Sequence, residues 1–374
     1  MQISNLIIGA GPAGLAVAGR MRKQGIDFEV IEQSGVIAAS WHQHYERLCL
    51  HTVKQLSNLP HLDFPEHCPL YVPRNQVVEY MQDYAKHFDI QPHFNQTVES
   101  VSKNEAGAWT VKTQDKNYTA KHVIIATGMN RIPNFPTFDG QENFKGTIEH
   151  SRFYKNALPH KDKKVLVIGM GNSGAEIALD LCENGIETYL SVRGPISLVP
   201  RDLNGRPVQL TALTLAKIPF GLGDKLGNTI RKIYFGNIRK YGLEPIPVPP
   251  VIHLRDTGKT PVIDIGTMKA IKEGKIKIKR DIQHFSAHAV HFKDGTQQAT
   301  DHIVMATGYR AKIEDFLERG TEVLDDYGLP CPPIGTGFHK GIYFNGFDNY
   351  KLGGALGTIF NDSAAIVEDI KNGE

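Results

Sequence analysis

The 374-residue chain has a formal net charge of +2, with 41% hydrophobic and 22% charged residues. That length supports two or three domains with large cores, and the near-neutral balance gives no reason to expect nucleic acid or an anionic membrane surface as a partner. No apolar run approaches the roughly 20 residues that span a bilayer. The four cysteines, Cys49, Cys68, Cys182 and Cys331, form no CxxC pair, which removes the signal for a redox dithiol or a zinc ribbon and points to reduced thiols in a soluble, cytoplasmic protein.

Residues 3–8 read as an apolar strand running into Gly9. Gly9, Gly11 and Gly14 match G-x-G-x-x-G, with Pro12 and Ala13 between them. No basic residue precedes the apolar run, so it reads as a nucleotide fingerprint rather than a signal peptide. Helical periodicity follows through Leu15, Val17, Ala18 and Met21. A second strand, Phe28–Ile31, ends at Glu32, followed by Gln33. Gly9 makes the tight turn, Gly11 admits a phosphate, and Gly14 lets helix and strand pack. The helix N-terminus then offers N–H groups to a pyrophosphate, and Glu32, 23 residues after Gly9, can accept from a ribose hydroxyl.

Residues 40–73 are loop-rich, with Pro60, Pro65, Pro69 and Pro73 and five histidines: His42, His44, His51, His61 and His67. No histidine pair sits at i, i+4 on a helix with an acidic or cysteine partner, so no metal is expected. Trp41 either stacks on a flat cofactor ring or fills a core. Asn75–Phe88 has the periodicity of an amphipathic helix. Short strands near 93–103, 108–113 and 118–125 form an antiparallel meander. The last ends in IIATG, Ile124–Gly128, a small-residue turn suited to close approach of a ligand.

After a linker with Pro133, Pro136 and Pro159, a second βαβ unit begins. Val165–Ile168 runs into Gly169, Gly171 and Gly174, a helix continues through Leu181, and a strand ends at Ser191-Val192-Arg193. Gly169 to Arg193 is 24 residues. The first site ends in an acid, which suits an unphosphorylated ribose. The second ends in an arginine, which suits a 2′-phosphate. FAD is therefore expected at the first site and NADPH at the second, with Asn172 and Ser173 in the pyrophosphate turn. A solvated strand-end cation is the other reading of Arg193.

Leu210–Tyr241 reads as helix interrupted by Pro219, Gly221 and Gly223, and Pro245–Pro261 as a proline-rich excursion. Lys272–Arg280 alternates basic and apolar residues, as a strand with one wet face does. A second apolar strand ends in an ATG turn, Ile303–Gly308. The chain closes with a strand, Gly341–Asn345, and a helix from about Asn361 to Lys371, preceded by Gly353, Gly354 and Gly357. The N-terminus of that helix could face a flavin's pyrimidine edge and stabilise negative charge there. The expected fold is α/β, with two Rossmann-like dinucleotide-binding domains and an antiparallel β-meander. The NADPH domain (160–299) is inserted in the FAD domain (1–145 and 300–374), with the IIATG and VMATG strands as crossover points. The cofactor-binding set is Gly9, Gly11, Pro12, Ala13, Gly14, Glu32, Gln33, Trp41, His42, Thr52, Val98, Ala126, Gly128, Gly169, Gly171, Asn172, Ser173, Gly174, Arg193, Thr307, Gly308 and Leu356.

The segment before the second fingerprint carries a more specific signal. Phe144-Lys-Gly146-Thr-Ile-Glu-His150-Ser-Arg-Phe-Tyr154 fits F-x-G-x-x-x-H-x-x-x-(F/Y), and Ala306-Thr307-Gly308-Tyr309 fits ATGY. With these motifs the chain resembles the class B flavin-dependent monooxygenases over nearly its whole length. Through Gly169–Glu176, Thr260–Gly266, Ala306–Arg310 and Leu59–Ile90 it looks closest to the YUCCA branch, the indole-3-pyruvate monooxygenases, and their bacterial relatives. Many flavin monooxygenases place an asparagine three residues before a lysine near the flavin. Lys54 fits the lysine and His51 stands at the asparagine position, as a histidine does in the YUCCA branch. His51, with Thr52 and Trp41, is thus a candidate for the flavin's face, and His51 the candidate catalytic residue. The Baeyer–Villiger branch ends its motif in W-P, whereas Phe153-Tyr154-Lys155 follows here. Tyr241–Pro250 departs from the plant enzymes' pattern.

The resemblance implies that NADPH reduces FAD, that O2 then forms a C4a-(hydro)peroxide on the flavin, and that one oxygen atom passes to a small organic substrate while the other leaves as water. The substrate is a 2-oxo acid such as indole-3-pyruvate, or a nitrogen- or sulfur-containing compound. No protein general base is nominated, and a homodimer is left open. The rival readings are an NADPH-dependent flavoprotein reductase or NADPH oxidase without productive oxygen transfer, and a non-enzymatic FAD-binding sensor. His150 and Tyr154 either brace the hinge between domains or pack the linker.

Overall fold

A computed structural model describes residues 1–373. In chain order the principal elements are β1 (Gln2–Ile8), α1 (Pro12–Gln24), β2 (Glu29–Ile31), α2 (Arg74–His87), β3 (Val98–Lys103), β4 (Trp109–Thr113), β5 (Asn117–Ile125), β6 (Thr147–His150), β7 (Lys164–Ile168), α3 (Asn172–Glu183), β8 (Glu187–Ser191), α4 (Val208–Leu215), α5 (Leu222–Phe235), α6 (Pro250–Thr257), β9 (Ile276–Lys279), β10 (Ile282–Phe285), β11 (Ala289–Phe292), β12 (Gln297–Ala299), β13 (His302–Met305), β14 (Ile342–Phe344) and α7 (Gly354–Asn372). The chain divides into two compact units. One contains residues 1–43, 52–132 and everything from Tyr309 onward; the other contains His44–His51 and Pro133–Gly308.

The first unit is built on a six-stranded sheet of order β2-β1-β5-β4-β3, with β14 also on β5. β5 changes role along its length. Asn117–Ala120 pairs antiparallel with β4, whereas Val123–Ile125 pairs parallel with β14. The burial pattern follows. Leu6–Ile8 and His122–Ile125, in the parallel part, are buried throughout, as strands covered on both faces are. α1 packs closely on α2: a Cβ on Gly19 would lie 2.0 Å from the Tyr84 hydroxyl oxygen, and that hydroxyl donates to the Pro60 carbonyl at 2.8 Å.

The second unit holds a five-stranded sheet of order β9-β8-β7-β13-β6, parallel throughout, and a three-stranded antiparallel sheet β10-β11-β12. Its main core joins Val165 and Val167 of β7, Ile177, Ala178 and Leu181 of α3, and Ile276 of β9. The α/β architecture of the sequence reading, with two Rossmann-like units, is present, together with its antiparallel meander β3-β4-β5.

Local readings changed in three places. α7 begins at Gly354, so Gly354 and Gly357 lie inside it and Gly353, at φ 123°, is its N-cap. Burial of Ile359, Ile366, Val367 and Ile370 outweighs the low helix propensity of those glycines. The proline-rich excursion contains α6, because Pro249 and Pro250 occupy the cap and first helical position, where proline's missing N–H costs nothing. Residues Thr267–Lys272 form a helix, which leaves only Ile276–Lys279 as strand. Among the described residues no helix is long and apolar enough to cross a membrane.

Candidate active site

The two glycine-rich turns are the same construction made twice. Gly9 N–H donates to the Ile31 carbonyl at 2.8 Å, and Gly169 N–H to that of Ser191 at 2.9 Å. Both glycines have positive φ, 113° and 100°, and a Cβ on either would sit 2.6 Å from a carbonyl oxygen, that of Ala126 or Ala306. A Cβ on Gly14 or Gly174 would stand 1.9 Å from the carbonyl oxygen of Gly9 or Gly169. The middle glycines differ. Nothing lies within 4 Å of a Cβ placed on Gly11 or Gly171. Each caps its helix in extended conformation, with φ −85° and −86°, no side-chain cap and no acid in the first turn. Two glycines in each turn are thus required by the protein, while the third leaves space in front of unsatisfied helix N–H groups, the arrangement a pyrophosphate needs.

At the first turn Glu32 is 8% exposed. Its Oε2 accepts from Ala10 N–H at 2.8 Å, and its Oε1 accepts from the Ser34 amide at 2.9 Å and hydroxyl at 2.8 Å. A carboxylate has about four acceptor sites, so a ribose hydroxyl still has a place. The Thr127 hydroxyl, in the IIATG turn, is buried without a partner, and Gly128 there has φ 76°. Ala13 is fixed by Asn345, whose amide donates to the Ala13 carbonyl at 2.9 Å. Ala126 is buried, Pro12 half-buried and Gln33 exposed. Trp41 lies half-buried on a short helix, Ala39–Gln43, so it is not a fully enclosed core residue. His42 is exposed, and its carbonyl accepts from Arg74 at 3.4 Å. Val98 opens β3 half-buried. The Thr52 hydroxyl is 2.7 Å from that of Ser57, and a Cβ on Gly354 would lie 2.6 Å from Thr52 Cγ2. Leu356 is buried in the first turn of α7.

In the second unit Arg193 is exposed and has no hydrogen bond or ion pair among the described residues. Asn172 uses its side chain on the protein: its Oδ1 accepts from Ile263 N–H at 2.7 Å, and its Nδ2 donates to the Pro261 carbonyl at 3.2 Å. The Ser173 side chain meets the Tyr45 hydroxyl. Thr307 donates to the Asn134 carbonyl at 2.5 Å, and Asn134 N–H donates to the Gly308 carbonyl at 2.9 Å.

The 144–154 motif braces this unit. Gly146 has no room for a side chain: a Cβ there would lie 2.5 Å from the Asp301 carbonyl oxygen and 2.6 Å from the Phe144 ring. His150 is fully buried. Its Nδ1 accepts from Arg152 N–H at 3.1 Å, so Nε2 carries the proton and donates to the Gly308 carbonyl at 3.0 Å. Burial lowers its pKa, and the carbonyl bond opposes that. Tyr154 is also buried; its hydroxyl donates to Asp180 on α3 at 2.5 Å. Burial and Asp180 together hold this phenol in its neutral form.

Sequence reasoning missed the role of Tyr45, Arg47, Glu176 and Asp180. Residues 44–51 form a strap that joins the second unit. His51 Nε2 bonds the buried Glu176 carboxylate. The Tyr45 hydroxyl reaches the same carboxylate, and its pKa is raised well above normal by burial, with Glu176 adding to it. Arg47 pairs with Asp180 at 3.4 Å and Glu183 at 2.9 Å. Acids at 176, 180 and 183 fall on one helix face, a spacing visible in the sequence, though not its partners. Glu149, His160 and His302 are likewise far apart in sequence. His302 Nε2 is 2.8 Å from the Glu149 carboxylate, and the three ligand-type atoms lie within 4.8 Å of one another. The histidine-rich loop, residues 40–73, contributes nothing to this group.

Paired nucleotide cradles on parallel sheets define the class of pyridine-nucleotide-linked flavoprotein oxidoreductases, and residues 6–204 match the family described as "Pyridine nucleotide-disulphide oxidoreductase". The fold is that of a flavin-containing monooxygenase from Stenotrophomonas maltophilia (TM-score 0.76, 18% identity, 99% of this chain and 98% of that one). It is also that of a bacillithiol disulfide reductase from Bacillus cereus (TM-score 0.72, 20% identity, 100% of both chains). Those likenesses establish the fold alone. The sequence decides further: the chain is 36% identical to the probable indole-3-pyruvate monooxygenase YUCCA7 of Arabidopsis thaliana, over 98% of this chain and 87% of that protein. The chain belongs to this YUCCA family of flavin-dependent monooxygenases. It is an NADPH-dependent enzyme that acts with O2 on a small organic molecule.

Proposed function

We propose that the flavin is FAD, held in the first unit by the Gly9–Gly14 turn, Glu32, the Thr127 hydroxyl and the IIATG backbone, and that NADPH lies on the Gly169–Gly174 turn with its 2′-phosphate on Arg193. In domain terms, the first unit is the FAD domain and the second unit the NADPH domain, and the enzyme works in the cytoplasm. The observation that carries this reading is the doubled cradle: each turn keeps its middle glycine open, and the strands beyond end differently, one in an acid and one in a free arginine. When bound, a flavin reduced by NADPH supplies the oxygen-activating chemistry. The residues of this chain place the two nucleotides and exclude water. Thr52 belongs to the flavin's face, where the resemblance also sets His51, and Leu356 lies in the first turn of α7 at its edge.

The substrate is an aromatic 2-oxo acid of the indole-3-pyruvate kind, as the relative's name supports. Insertion of one oxygen atom beside its carbonyl, with cleavage of the bond to the carboxylate, yields the acid one carbon shorter and CO2. NADPH supplies two electrons and the second oxygen atom leaves as water. The test is turnover under 18O2 with indole-3-pyruvate. The expected result is one product per NADPH, with one labelled oxygen in product or CO2. Stoichiometric hydrogen peroxide, with no product from 2-oxo acids, thioethers or amines, would instead establish an uncoupled oxidase.

A further inference from the structure

α5 is built against the usual burial preferences. Leu222, Leu226, Ile233 and Tyr234 are exposed, at 55%, 49%, 78% and 47%, while Arg231 is only 7% exposed. A guanidinium is almost never enclosed unless something meets its charge. Within the protein, little does. Arg231 Nε and Nη2 both reach Asn228 Oδ1, at 3.2 and 2.9 Å, and no carboxylate pairs with it among the described residues. Desolvation lowers its pKa, and no neighbouring charge opposes that. Two of its three nitrogens thus share one amide oxygen, out of the five N–H donors a guanidinium carries.

Arg231 lines a cavity of about 90 Å³ enclosed by α4, α5, the start of α6 and the strand Leu198–Pro200. A water needs roughly 10–15 Å³ on this measure, so the space admits a small organic molecule. Its walls are apolar, with Val199, Leu203, Ala212, Leu215 and Val251 among them. Beside it α4 and α5 meet closely through glycines: a Cβ on Gly223 would lie 2.0 Å from the Leu215 carbonyl oxygen, and one on Gly227 3.3 Å from Leu215 Cδ1. The acid in the lining, Asp224, is engaged by Arg255 at 3.4 Å.

An apolar chamber with one enclosed, uncompensated guanidinium is complementary to an apolar body that ends in a single carboxylate. We propose that this pocket recognises the carboxylate end of an aryl 2-oxo acid, with Arg231 as the anion-binding residue and the walls of α4, α5 and α6 around the ring. Planar guanidinium and carboxylate form two parallel N–H···O bonds, which a neutral ketone cannot replace. This rests on the substrate reading above and names the part of the substrate that the protein reads.

The test is calorimetric titration of the full, flavin-loaded, oxidised enzyme with two probes: phenylpyruvate, and 1-phenyl-2,3-butanedione, in which a methyl ketone replaces the carboxylate. The native enzyme should prefer the acid by roughly 10- to 100-fold, the range a charge-assisted pair supplies. Arg231→Met, which replaces an enclosed charge by an apolar chain of similar length, should bring the ratio near 1 by weakening the acid alone. Arg231→Lys should retain part of the preference. Ala212→Phe, which fills the chamber without touching the charge, should weaken both probes, and it stands as the test if Arg231→Met does not fold. In turnover Arg231→Met should raise KM for the acid more than it lowers kcat. An unchanged ratio in Arg231→Met, or unchanged binding of both probes in Ala212→Phe, overturns the proposal. The titration needs neither NADPH nor product, so its outcome is separate from that of the 18O2 experiment.

Discussion

A single methyl group separates two kinds of glycine in each nucleotide turn. Gly174 has none of the room a Cβ needs, while Gly171 has open space and a φ that alanine adopts without strain. Gly174→Ala should therefore destabilise the protein by about 3 kcal/mol, seen as a lowered melting temperature. Gly171→Ala should melt like the native enzyme and keep its flavin, yet raise KM for NADPH at least tenfold. An unchanged KM would mean that no phosphate approaches this glycine. The fingerprint's spacing announced both positions, but only the neighbours' carbonyl oxygens tell which glycine serves the fold and which the ligand. His51 shows the complementary case. The resemblance placed it at a flavin, and the structure adds that its ring is bonded to a buried carboxylate 125 residues away in the sequence, a pairing that no local spacing announces.

Among the elements, β8 and α3 divide the work of the second cradle. α3 turns one face to the strap through Glu176, Asp180 and Glu183, and its N-terminus stays open. β8 carries the chain out to Arg193, which is left in solvent with no partner among the described residues. Arg193→Ala should lower the ratio of kcat/KM for NADPH over NADH by roughly tenfold or more, since a charge-assisted pair contributes about 1.5–3 kcal/mol. An unchanged ratio would return Arg193 to a solvated strand end. α7 shows where element reading failed: three glycines read as a loop, yet burial of its apolar face carries the helix back to Gly354.

At the scale of the whole molecule, stability should depend on pH through His160. Burial, with His302 adding to it, pushes this imidazole from 6.5 down to about 4. Above pH 6.5 the folded and unfolded chains are both neutral there. As pH falls from 6.5 toward 4 the unfolded chain takes a proton that the folded chain refuses, so up to about 3 kcal/mol is lost across that window. Melting temperatures from pH 7 to 4.5 should fall more steeply for the native protein than for His160→Asn, and parallel curves would remove His160 from the account. Taken alone, the sequence determined the doubled cradle, the acid and the arginine at its two ends, and the family, because each is written in residues that are neighbours along a single turn or βαβ unit. Which strand joins which sheet, the strap clasped to α3, the His150 bond to Gly308 and the arginine enclosed by α5 were decided only by tertiary structure. These depend on contacts between segments tens to hundreds of residues apart, where packing and desolvation act and local periodicity carries no information.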